Sequence, residues 1–229
     1  MSMIKTTDRF VKPGAIISSI VFASLAALYF MPSDIPCRIA FPLALLTLAS
    51  LWLCPWKITL ALLFSTFGDL AGAYGNFILQ MGSFALTHIM LIWFFFERYR
   101  TKVERDGKLT EKAAGYTFLI GFLCLFLAGV AFTQIALKAP EGILRTGTGI
   151  YVLLICIMLG LALLQRSSLY ALGAVMFVFS DFILGWNMFT GPVENSKWLI
   201  MVPYYLGQWL IYIRSTSFRV APEMRLMRF

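Results

Sequence analysis

"AAGYTFLIGFLCLFLAGVAFT", residues 113–133, decides the fold class. It is an unbroken apolar run without a charged side chain. A bilayer-spanning helix needs ~20 such residues. The alternation that a membrane barrel strand requires is absent. Comparable runs recur at 14–31, 39–55, 57–74, 78–96, 143–164, 168–188 and 197–213. Together they predict eight transmembrane helices in 229 residues, with almost no chain left for a soluble domain. The composition agrees: 60% of residues are hydrophobic, 13% are charged, and the mean hydropathy is +0.81. Soluble domains carry about 25% charge. The chain therefore reads as an all-α integral membrane protein.

The charges predict how it is threaded. With the N-terminus in the cytoplasm, that side receives Lys5, Arg9, Lys12, Lys57, the cluster Arg98, Arg100, Lys102, Arg105, Lys108 and Lys112, then Arg166, Arg214, Arg219, Arg225 and Arg228. The opposite side receives Arg38, Lys138, Arg145 and Lys197. This positive-inside bias puts both termini in the cytoplasm. The first span follows basic residues like a signal peptide, but it is long enough to span and reads as a retained anchor. The +8 net charge follows from this bias and from attraction to anionic lipid. No basic patch interleaved with aromatics points to nucleic acid.

One long polar segment, "ERYRTKVERDGKLTEK" from Glu97 to Lys112, divides the chain. The reading is a single transmembrane domain over 1–229. Residues 1–97 hold four helices, 98–112 form a basic cytoplasmic loop, and 113–229 hold four more. An even number of spans per half allows a 4+4 parallel repeat. Phe67-Gly68-Asp69 then aligns with Phe179-Ser180-Asp181, Tyr74 with Trp186, and Phe77 with Phe189. The four cysteines, Cys37, Cys54, Cys124 and Cys156, show no CxxC spacing and read as structural thiols. Residues 151–164 and 16–30 have few polar atoms and read as scaffold.

Three ionisable side chains fall inside the predicted spans: Asp69, His88 and Asp181. Each carboxylate costs ~2.5–3.5 kcal/mol to insert, so such residues usually mark function. By helix rise, Asp69 and Asp181 lie ~18–20 Å into their spans and His88 ~15 Å into a span running the other way. All three can meet in one layer. The face around Asp69 carries Ser65, Thr66, Gly72, Ala73 and Asn76, the small and polar kind buried between helices. Ser180 adjoins Asp181, and the last span presents Tyr204, Tyr205, Gln208 and Tyr212. Two carboxyls in a dry layer can divide into a protonated acid and an ionised base. No P-loop, GxSxG or HExxH is present. A single histidine excludes a His-rich metal site, and no cofactor is expected. A divalent ion on Asp69, Asp181 and His88 is the alternative. Each polar residue also has a plain reading, as a hydrogen bond between neighbouring helices.

At these residues the chain resembles the YhhN/transmembrane-86 family of lysoplasmalogenases. The pattern comprises Gly68-Asp69; Gly82, Phe84 and His88; Gly173, Phe177, Ser180 and Asp181; then Tyr204, Tyr205 and Gln208. The resemblance implies a hydrolase of the vinyl-ether bond of lysoplasmalogens, releasing a fatty aldehyde and glycerophosphoethanolamine or glycerophosphocholine. The substrates would be a lysophospholipid and water within the bilayer. The family's essential aspartates carry over to Asp69 and Asp181. Vinyl ethers hydrolyse by protonation on carbon to an oxocarbenium-like cation, which an acid and a second carboxylate suit; glycosidases offer the analogy. Asp181 is expected to be the acid because its flank of Phe177, Val178 and Leu184 is the more apolar. His88 and Gln208 would orient the carboxyls or the water.

Two other classes compete. Midplane carboxylates between repeats also serve proton-coupled transporters or lipid-binding membrane proteins. An intramembrane aspartyl protease would have two aspartates on separate helices, but residues 66–69 read Thr-Phe-Gly-Asp, without the Gly-x-Gly-Asp signature. The compact chain leans towards a bacterial inner membrane, with the endoplasmic reticulum as the alternative.

Overall fold

The computed structural model describes residues 3–106 and 111–218. Eight α-helices follow one another: α1 (Met3–Phe30), α2 (Phe41–Leu53), α3 (Trp56–Ala73), α4 (Phe77–Asp106), α5 (Glu111–Gln134), α6 (Ile143–Leu164), α7 (Ser168–Phe189) and α8 (Ser196–Ser215). No strand occurs among the described residues. Between α3 and α4 the chain turns at Gly75, whose φ of +74° suits a residue without a Cβ. Asn76 then caps α4, its Oδ1 accepting the Leu79 amide at 3.0 Å.

Among the described residues, six stretches are long and apolar enough to cross a bilayer: Pro13–Phe30, Pro36–Leu53, Phe77–Glu104, Ala114–Lys138, Ile143–Leu164 and Ser168–Phe189. The less apolar helices are α3 and α8, and the reason is where their polar residues point. Ser65, Thr66 and Asp69 of α3, and Tyr204, Tyr205, Gln208 and Tyr212 of α8, are buried against other helices. Lipid does not meet them, so these helices need no apolar surface there.

The longest contacts run between α3 and α4 and between α7 and α8. Helix α2 packs on α3 and carries α1 on its other side, while α6 packs on α7 and carries α5. Packing of α4 on α6 and of α2 on α8 joins the two sets. The α7–α8 crossing is close enough for backbone contact. A Cβ on Gly207 would lie 2.7 Å from the Gly173 carbonyl oxygen and 3.0 Å from the Phe177 amide. Helix α5 is the outlying member. It packs on α6, does not run along α7, and turns Phe118, Phe122, Leu125 and Phe126 outward.

The basic segment read as a loop over 98–112 is largely helical instead. Helix α4 continues to Asp106 and α5 begins at Glu111. Charged pairs one turn apart, such as Arg100–Glu104 at 3.1 Å, support a helix in water just as apolar residues support it in lipid. At the same end, Lys57 pairs with Glu97, and its ammonium stacks over Trp56 at 5.1 Å and Trp93 at 4.7 Å. Such amphipathic rings suit the membrane–water interface.

Candidate functional site

Asp181 is held by two neighbours. The Tyr151 hydroxyl of α6 donates to its Oδ2 at 2.5 Å. His88 Nε2 of α4 lies 3.3 Å from that oxygen and 3.0 Å from the Tyr151 hydroxyl. Tyr151 and His88 thus both meet Oδ2. No hydrogen bond reaches Oδ1 among the described residues, and Asp181 forms part of a cavity wall. The His88 ring is fully buried, 4.8 Å from Phe177 and 5.2 Å from Tyr151, ring to ring.

That cavity, ≈ 530 Å³, lies among α4, α5, α6 and α7. Phe77, Met81, Phe84, Phe179, Phe182 and Phe189 line it with aliphatic side chains. Asp181 and Tyr151 are among its few polar wall residues. Its volume and apolar wall suit one apolar chain, with Asp181 at its side.

Asp69 is 2% exposed and does not line the cavity. Its neighbour Gly68 lets Phe84 approach, since a Cβ there would meet the ring at 3.0 Å. Phe84 in turn packs on Tyr204 at 5.7 Å and Phe177 at 6.4 Å. Asp69 neighbours Tyr204 and is within electrostatic reach of Asp181. Asp69 Oδ2, the Tyr204 hydroxyl and His88 Nδ1 are buried without a hydrogen bond of good geometry among the described residues, although Asp69 and Tyr204 stand close enough to interact. Each unpaired buried polar atom costs ~1–3 kcal/mol, which is unusual outside working sites.

A second polar chain flanks Asp69. Gln208 Nε2 donates to Ser65 Oγ at 2.8 Å, and Ser65 meets the Thr87 hydroxyl at 3.1 Å. Thr87 anchors this chain on the Ala61 carbonyl at 3.1 Å. Thus Ser65 and Gln208 come together one turn from Asp69, while His88 joins Asp181. Tyr205 serves elsewhere, donating to the Ile39 carbonyl at 2.7 Å and pinning α8 to the turn before α2. Ser180 is buried beside Asp181. Asn76 is exposed in the α3–α4 turn and stands apart from the carboxyls.

Tyr151, read from sequence as scaffold, belongs to the site because its hydroxyl reaches across to α7. Its signal was slight: a hydroxyl in the midst of an apolar span must find a partner. Thr87, one residue before His88, was likewise missed. Among the described residues, no group of three or more His, Cys, Asp or Glu side chains is placed to hold a metal ion.

An all-helical membrane protein with a buried Asp–Tyr–His cluster beside an apolar cavity is thus defined. The YhhN family pattern matches residues 26–215, and the chain belongs to that family. It is similar to the lysoplasmalogenase TMEM86B of Sus scrofa, 26% identical over 166 residues, covering 72% of this chain and 64% of that protein. It is also similar to the lysoplasmalogenase TMEM86B of Homo sapiens, 28% identical over 152 residues, covering 66% of this chain and 59% of that one. The chain therefore matches less than two thirds of the length of either relative. No solved structure matches.

Proposed function

We propose that this protein hydrolyses the vinyl-ether bond of lysoplasmalogens within the membrane. The observation that carries the reading is Asp181 on the wall of an apolar cavity, with Tyr151 and His88 both on Oδ2 and with Oδ1 unbonded. Asp181 gives the Oδ1 proton to the outer vinyl carbon, leaving an oxocarbenium ion on the carbon bonded to oxygen. The new carboxylate lies beside that cation and is stabilised by Tyr151 and His88. Water adds to the cationic carbon and returns a proton to the carboxylate. The hemiacetal then collapses to aldehyde and glycerophospho-alcohol. Asp69, buried outside the cavity wall, is the second carboxyl of the layer. With Tyr204 beside it, Asp69 acts on Asp181 through space and does not touch the substrate.

In this reading all eight helices cross the bilayer and both termini are cytoplasmic, as the distribution of Lys and Arg supports. A 4+4 repeat is supported by like packing in the two halves, α3 on α4 and α7 on α8. The aligned residues Phe77 and Phe189 also meet face to edge, 5.4 Å apart.

The test is aldehyde release from purified protein given a lysoplasmalogen, beside Asp181→Asn and Asp69→Asn variants that keep their fold. Release by the wild type and its loss in Asp181→Asn are expected. Proton-driven flux without chemical conversion would instead indicate a carrier.

A further inference from the structure

A second, more open pocket of ≈ 730 Å³ adjoins the cavity, and Phe77 and Phe189 belong to the walls of both. Lys138 and Asn76 stand in its rim. We propose that Lys138 receives the phosphate of a lysophospholipid whose apolar chain occupies the cavity. The Phe77–Phe189 pair marks the boundary between headgroup and chain. This inference rests on the hydrolase reading and extends it to the headgroup.

Three observations single out Lys138. First, its ammonium has no carboxylate partner among the described residues and rests on the Trp186 ring, 5.4 Å from the centroid. Second, the other cations at this end are engaged or turned elsewhere. Arg145 holds Glu141 at 3.0 Å and the Ala139 carbonyl at 3.1 Å. Arg38 donates to the Met31 carbonyl at 2.5 Å, and Lys197 covers Tyr29 and Phe30. None of these three lines either pocket. Third, Asp181 lines the apolar cavity and Lys138 the more open pocket that shares the Phe77 and Phe189 walls with it, so one lipid could present its ether bond to the first and its phosphate to the second. Lys138 can leave an aromatic face for a phosphate at small cost, because the cation–π contact is weak at an exposed site. Asn76 uses Oδ1 for its cap and keeps an amide donor for the same anion.

The test is equilibrium binding of two unreactive probes to full-length protein in matched detergent. One is a radiolabelled saturated alkyl-ether lysophospholipid; the other is the same alkyl glycerol without phosphate. Lys138→Gln is expected to weaken the phospholipid by about 10-fold or more, the loss of a charge-assisted contact. It should leave the alkyl glycerol unchanged, Lys138→Arg should restore binding, and Lys197→Gln should have no effect. Unchanged phospholipid binding by Lys138→Gln overturns the proposal. So does equal loss of both probes, which would mean a damaged cavity. Displacement of the lipid by inorganic phosphate at similar concentration also overturns it, because the site would then take the free ion. If the phosphate dependence holds but wild-type protein releases no aldehyde, the hydrolase reading fails while Lys138 remains a lipid-phosphate site.

Discussion

Tyr151→Phe removes one oxygen and leaves the ring. The lost hydroxyl is the donor at 2.5 Å to Asp181 Oδ2, and it also meets His88 Nε2 at 3.0 Å. In the proposed step Asp181 becomes a carboxylate as the carbon is protonated, so this hydrogen bond strengthens in the transition state. Bonds to charged groups contribute about 1.5–3 kcal/mol. At 1.36 kcal/mol per decade, kcat should fall about 10- to 150-fold. KM should change little, because the hydroxyl points at Asp181 rather than at the apolar chain. Packing is preserved, since phenylalanine keeps the edge contact with His88. The assay is initial-rate aldehyde release over a lysoplasmalogen concentration series, with thermal unfolding in detergent as the fold control. A folded Tyr151→Phe protein with kcat within about twofold of wild type would refute the assignment of Tyr151 to the transition state.

Other perturbations read the scaffold. Gly207→Ala places a methyl 2.7 Å from a backbone oxygen that cannot rotate away. It should destabilise by about 1–3 kcal/mol and, through Phe177, lower kcat as well; unfolding and aldehyde release would be measured together. Ser65→Ala takes the acceptor from Gln208 and a partner from Thr87. It should cost about 1–3 kcal/mol in thermal unfolding, and a neutral result would mean the chain is not structural. Glu97→Gln breaks the Lys57 pair, but Glu97 is 50% exposed. The shift should stay below about 1 kcal/mol by the same assay.

Helices α6 and α7 were legible almost to the residue, because apolar runs of that length end abruptly in charge or turn residues. The meeting of His88 with Asp181 was legible too, since depth follows from counting along a helix. Asn76 shows where counting fails. It falls on the face of Asp69 only if the helix persists, yet α3 ends at Ala73 and Gly75 turns the chain. Tyr151 shows the other gap. Its role is set by where α6 lies against α7, and nothing in "GIYVLL" encodes that contact. Lys138 is one of four cations assigned to its side, and sequence ranks none of them; the adjoining pockets distinguish it.

The outlying position of α5 has a consequence for chain selectivity. Its Leu123, Leu127 and Val130 form one side of the cavity, yet the helix is not packed along α7. In the proposed reading, surrounding lipid would complete the enclosure on that flank. If the protein is the proposed hydrolase, the length and saturation of the alkenyl chain would then be judged partly by the membrane phase and not by side chains alone. Detergent molecules would compete for the same slot, so rates in micelles and in bilayers should rank substrates differently.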